Sequence, residues 1–150
     1  MKSIFPVICS ERIEESAAFY SGLLGLDVTF ESGWYTLLTS PGSAHVQLGL
    51  VRQDHPSVPE GFRHPPRGVI VTVEVPDVDS VYARARAGGA PVVQELRDEE
   101  FGQRHFMVSD PDGALVDVVM VIPLAPAFAR EVAAFRRRRR AQKTADRPEP

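Results

Sequence analysis

Only one cysteine, Cys9, occurs in the 150 residues, so no disulfide can form within the chain. A disulfide-stapled secreted scaffold is excluded, and a reducing, cytoplasmic setting is the expectation. Long apolar runs are also missing. None approaches the roughly 18 residues that a membrane-spanning helix needs. Met1 to Phe5 lack the basic segment, apolar stretch and small-residue cleavage site of a secretory signal. No base or cationic neighbour accompanies Cys9, so a packed thiol is expected there rather than a nucleophile. Positive charge is scarce outside one end. The net charge is −3, yet residues 130–150 hold eight Lys or Arg against three Asp or Glu, which leaves residues 1–129 at −8. A body of that sign disfavours nucleic acid and mildly favours cationic ligands.

What the chain has is an internal repeat within a length that suits one domain. Residues 4–8 read as a strand followed by a helix through Tyr20, and residues 69–75 followed by a helix through Ala87 match them at an offset of 65. Leu24-Gly25 and Gly88-Gly89 supply helix stops. Asp77 is the expected N-cap of the second helix and Ser10 of the first. Ile13, Ala17, Tyr20 and Leu24, and then Val78, Val81, Tyr82 and Ala85, give each helix one buried stripe. The later strands repeat at an offset of 70, with Pro41-Gly42 matching Pro111-Asp112-Gly113 at hairpin turns.

These signals divide the chain into a domain over 1–122, with units 1–51 and 68–122 and a proline-rich linker at 52–67. A helix is expected over 123–140, with Phe128, Val132 and Phe135 on one stripe, and a disordered tail over 141–150. The run Arg136 to Arg140 reads as a solvated helix terminus favoured by the helix dipole.

Three segments carry a resemblance to a known family. Ser16-Ala17-Ala18-Phe19-Tyr20 leading to Leu23-Leu24-Gly25-Leu26, then Val75-Pro76-Asp77-Val78-Asp79, then Gly102-Gln103-Arg104-His105-Phe106-Met107-Val108-Ser109-Asp110-Pro111-Asp112-Gly113 resemble the vicinal oxygen chelate superfamily. That superfamily includes glyoxalase I, extradiol dioxygenases, fosfomycin-modifying enzymes and the bleomycin-resistance binding proteins. The resemblance covers Ile4 to Val121. It implies an α+β fold in which two tandem βαβββ units form a curved mixed sheet around a cavity, with a C-terminal helix added here. It also implies a homodimer with the cavity at or near the subunit interface.

Enzymes of the family hold a divalent metal with four side chains, one from the first and one from the last strand of each unit. Carried over, those positions fall at Phe5, Gln47, Ile70 and Asp117. Phenylalanine and isoleucine offer no lone pair, and two remaining ligands are too few to replace an ion's inner hydration shell. The chain therefore resembles the metal-free, bleomycin-resistance-like branch, and no cofactor is expected. A shifted set of His45, His105 and Asp117 is the alternative donor group.

Period-two alternation places Val7, His45, Leu115 and Val119 on the cavity side with those positions, and Val46, Leu48, Val69, Val71, Val73, Val116 and Val118 against the helices. Trp34, in an expected strand, either stacks on a planar ligand or packs in the core. Phe62 and Phe101 are candidate rims, and His105 and Met107 share a strand face directed inward. His55 and His64 are assigned to solvent. A carboxylate at Asp117 inside an apolar cavity needs a cationic ligand or an internal base such as Arg104.

The leading functional reading is a metal-free small-molecule binder that sequesters an aromatic, cationic antibiotic or metabolite. Its ligand contacts are Phe5, Trp34, Gln47, Phe62, Ile70, Phe101, His105, Met107 and Asp117. The alternatives are a glyoxalase-like lyase, isomerase or dioxygenase, and an accessory protein that docks through the Arg-rich tail.

Overall fold

The computed structural model describes residues 3–145. The element order is β1 (Val7–Ser10), α1 (Ile13–Leu24), β2 (Asp27–Glu31), β3 (Tyr35–Ser40) and β4 (Ser43–Arg52), then β5 (Ile70–Glu74), α2 (Val78–Ala87), β6 (Val92–Glu99), β7 (Gln103–Ser109) and β8 (Leu115–Val121), closed by α3 (Pro126–Ala145). Two four-stranded mixed sheets result, ordered β1-β4-β3-β2 and β5-β8-β7-β6. In each, the first strand of a unit runs parallel to its last, and the other pairs are antiparallel. These are the tandem βαβββ units of the α+β fold read from the repeat.

Local chemistry explains the element ends. Gly25 closes α1 with φ of 69°, a conformation that costs glycine no Cβ clash. Asp77 caps α2 by accepting from the Ser80 amide at 3.1 Å. At the start of α1 the N-cap position belongs to Arg12. Ser10, the expected cap, lies two residues earlier, where its Oγ accepts from the Arg12 amide at 3.0 Å. Pro6 precedes β1 and so never has to supply an amide to the ladder. Its carbonyl accepts from the Gly49 amide at 3.0 Å.

Both helices lie on the same side of their own sheets and share one core. Ile8, Ile13, Tyr20, Leu23, Leu38, Leu48 and Leu50 of the first unit pack with Val78, Val81, Ala85, Phe106, Val108, Val116 and Val118 of the second. The Arg84 guanidinium, from α2, donates to the Leu23 carbonyl at 3.0 Å. A polar clasp adds to this joint. Ser10 and Ser16 donate their hydroxyls to Asp112, Ser16 at 2.7 Å, the Glu11 amide donates to the same carboxylate at 2.9 Å, and the Tyr20 hydroxyl donates to Asp110 at 2.9 Å. Asp112, in the hairpin turn expected from sequence, and the neighbouring Asp110 thus also bind the second hairpin to the first helix.

Several expectations shift. Val46 and Val69 are exposed rather than packed on helices, because the start of β4 and the approach to β5 leave the helix-covered zone. The linker holds the end of β4 and a short 3-10 turn at Glu60–Phe62. The C-terminal helix starts at Pro126 and runs to Ala145, so residues 141–145 continue it. The rest of the expected tail lies outside the described residues. Phe135 is exposed, while Phe128 and Val132 are half-buried.

Candidate functional site

Each sheet has one face on the helices and one open face, and the register decides which residues meet on the open side. In the second unit Thr72 pairs with Asp117, and in the first Val7 pairs with Gly49. Val7 and Thr72 correspond across the repeat at its offset of 65. The place in β4 that answers to Asp117 is therefore Gly49, two residues beyond Gln47. A register break between Thr39 and Ser40 absorbs the difference. Gln47 shares the open face but stands off the corner expected for it.

The four corners are then Phe5, Gly49, Ile70 and Asp117, and three of them have no side-chain donor atom. Phe5 lies two residues before β1 and is 39 % exposed, and Ile70 opens β5 at 52 %. One chain therefore does not enclose them together. Asp117, the remaining carboxylate, is already engaged. Its Oδ1 accepts from His105 Nδ1 at 2.8 Å, with Asp117 6 % and His105 4 % exposed. The metal set of the family does not fit these residues. The shifted set fails as well. His45 is exposed on the other sheet, and no group of three or more His, Cys, Asp and Glu suited to an ion occurs among the described residues.

The pairing of Asp117 with His105 also corrects the partner considered from sequence. Arg104 points to the helix side of the sheet, where it bridges Asp79 at 2.7 Å and Asp98 at 2.7 Å. Those two carboxylates push the guanidinium further up from its already high range, Asp79 contributing most. On the open face, His105 Nε2 meets the Gln94 amide at 3.0 Å and the Glu99 carboxylate at 3.4 Å. Hydrogen bonds from Arg97 first, then His105, hold Glu99 below the ordinary carboxylate range. Phe101 stands edge-on to His105 at 6.2 Å between ring centres, and Phe128 of α3 packs on Phe101 at 6.3 Å. Met107 lies opposite Asp117 in the ladder. Thus Phe101, His105, Met107 and Asp117 do come together, in the second unit.

The first unit gathers a different group. Val7, Trp34, Tyr35, Val51, Ser57 and Val58 line a cleft of about 310 Å³ between the open face and the linker. Trp34 sits in the bend before β3 rather than in a strand, and His55, assigned to solvent from sequence, is half-buried. The two rings stack at 3.9 Å with 8° between planes. His55 Nδ1 shares a hydrogen bond with the Ser57 hydroxyl at 2.8 Å. Phe62 is exposed at the linker's edge, and its carbonyl accepts from the Cys9 thiol at 3.7 Å. Burial pushes that thiol up from its usual range, which disfavours the thiolate a nucleophile needs.

Tyr35 is the residue that sequence reasoning passed over. A Cβ placed on Gly49 would lie 2.5 Å from the Tyr35 hydroxyl and 3.0 Å from a Val7 methyl. The phenol therefore occupies the space that a side chain at this corner would take. A glycine in the interior of a strand was the available signal, since such a residue often marks a close approach.

Residues 5–118 match the family described as the Glyoxalase/Bleomycin resistance protein/Dioxygenase superfamily. Among solved structures, a member of that superfamily from Sphaerobacter thermophilus is 23% identical with a TM-score of 0.66, the match covering 80% of this chain and 97% of that one. A lactoylglutathione lyase from Agrobacterium tumefaciens is 19% identical at 0.62, covering 80% and 94%. A glyoxalase/bleomycin resistance protein/dioxygenase family enzyme from Burkholderia phytofirmans is 15% identical at 0.67, covering 79% and 97%. At such identities the structural likeness speaks for the fold alone, and no curated protein matches the sequence. The sequence match spans both βαβββ units from Phe5 to the middle of β8, and on that extent the chain belongs to the Glyoxalase/Bleomycin resistance protein/Dioxygenase superfamily.

Proposed function

We propose that this protein binds a small organic molecule without a metal and acts by sequestering it, the ligand being an aromatic antibiotic or metabolite. The observation that carries the reading is the state of the four corners. Three have lost their donors, and the fourth, Asp117, is held by His105. The internal partner also removes the reason for requiring a cationic ligand, because the buried carboxylate is already compensated.

A homodimer completes the proposal. Phe5, Val7 and Ile70 are apolar and open to solvent in one copy, and burial against a second copy both hides them and encloses a chamber. Among the described residues no helix is long and apolar enough to cross a membrane.

A metal-free acid–base enzyme is the second reading, favoured by the 2.8 Å bond from His105 to Asp117, an arrangement that orients imidazole bases elsewhere. Against it, the second ring nitrogen faces Gln94 and Glu99 rather than open space.

Native mass spectrometry after gentle purification, paired with elemental analysis, tests the leading reading. A dimer free of stoichiometric metal is the expected result. One tightly bound nickel, zinc, iron or manganese per chain would overturn it.

A further inference from the structure

We infer that the cleft of the first unit is the ligand's seat, and that the Tyr35 hydroxyl, standing in the corner vacated at Gly49, is the group that orients an uncharged ring-shaped ligand there. The inference rests on the binding reading above and specifies its ligand class and its selecting residue.

Three observations carry it. The six lining residues, Val7, Trp34, Tyr35, Val51, Ser57 and Val58, include no ionised side chain, so a charged ligand finds no counter-charge in the cleft and gains nothing from its charge there. A volume of about 310 Å³ suits a ligand of one or two fused rings, at the small end of ordinary pockets. The only tryptophan stacks on the parallel His55 ring, which gives the cleft an aromatic wall.

Tyr35 supplies what such a wall lacks. Its hydroxyl has no hydrogen-bond partner among the described residues, whereas its backbone is fully tied to Ser32 by bonds at 2.8 and 3.1 Å. The phenol is thus positioned by the chain and by the absence of a Cβ at Gly49, with its donor and acceptor both unspent. An apolar lining with one convergent polar group favours a neutral molecule carrying one hydroxyl or carbonyl on a flat or cyclic body.

The single tryptophan gives a direct readout, because its indole N–H contributes one resonance. The purified full-length protein is titrated with naphthalene, 2-naphthol, 2-naphthoate and 2-(aminomethyl)naphthalene while that resonance is followed. Saturable shifts are expected with 2-naphthol, weaker binding with naphthalene, and little with either ion. In Tyr35→Phe, the affinity for 2-naphthol should fall about 2- to 10-fold, to near that of naphthalene, while naphthalene itself is unaffected. Gly49→Ala, which drives a methyl into the phenol, should weaken every probe. Equal or tighter binding of either ion would overturn the ligand class. An unchanged 2-naphthol affinity in Tyr35→Phe would overturn the role of Tyr35, and no response of the indole to any probe would remove the site. None of these outcomes depends on metal content, which tests the broader reading separately.

Discussion

His105 and Asp117 lie on neighbouring strands of the second sheet and meet through a 2.8 Å hydrogen bond, both almost wholly removed from water. Each satisfies the other's polarity in a setting where either alone would be costly.

That mutual dependence predicts a specific pattern of stability. His105→Ala strands a buried carboxylate and should cost about 3–5 kcal/mol in urea unfolding. The double variant His105→Leu with Asp117→Leu should recover most of that loss, because neither polar group is then left without a partner. A double variant no more stable than His105→Ala would show that packing, rather than the pair, sets the cost.

The fold was largely legible because its signals are local and chemically strict. Glycine at position 25, aspartate at 77 and the Pro-containing turns specify element ends through backbone geometry, and the helix stripes specify the buried sides. The corner residues were harder. Aligning the two last strands on Pro41 and Pro111 assigns Gln47 to the place of Asp117, yet the register break beside Ser40 moves Gly49 there. Such a bulge depends on cross-strand pairing and leaves no compositional mark. The stacking of Trp34 on His55 and the choice of His105 over Arg104 were hidden for a related reason. Each depends on which face of a sheet or loop a side chain takes, and sequence distance does not specify it.

Acid should affect the clasp at Asp112 in a defined direction. Burial pushes this carboxyl up, but hydrogen bonds from Ser10, Ser16 and the Glu11 amide, with the Arg12 charge, outweigh it and hold the group below its ordinary value of 3.8. A carboxyl lowered on folding stabilises fully above its unfolded pKa and loses that contribution as the pH falls through the folded one. Asp112→Asn should therefore destabilise the protein at pH 7, with the gap to the natural protein narrowing as the pH falls below about 4. Urea midpoints of both proteins across that range provide the check.

Asp110 should behave in the opposite sense. Burial dominates there and raises its carboxyl above the usual range despite bonds from the Ala114 amide and Tyr20. Its ionised form is thus disfavoured by folding, so this contribution to stability grows as the pH falls through the raised folded pKa. Carbon-detected titration of the two side chains should place Asp110 above Asp112.

Gly102 offers a test of the C-terminal attachment. Its φ is 88°, and an added Cβ would lie 2.8 Å from a Leu124 methyl and 3.0 Å from the Ile122 carbonyl oxygen. Gly102→Ala should cost roughly 1–3 kcal/mol. It should also loosen the Phe101 and Phe128 contact, visible as faster amide exchange at Ile122 and Ala125, whose amides bond to Gly102 and Glu100.

The Asp112 carboxylate reaches from the second hairpin into the first helix, while the matching turn at Pro41-Gly42-Ser43 offers no acid to return the gesture. The two halves are consequently not interchangeable parts. A fragment stopping at the linker would bare Ile8, Tyr20 and Leu50 together with two orphaned serines, so whatever ancestry the repeat records, modular independence has not survived it.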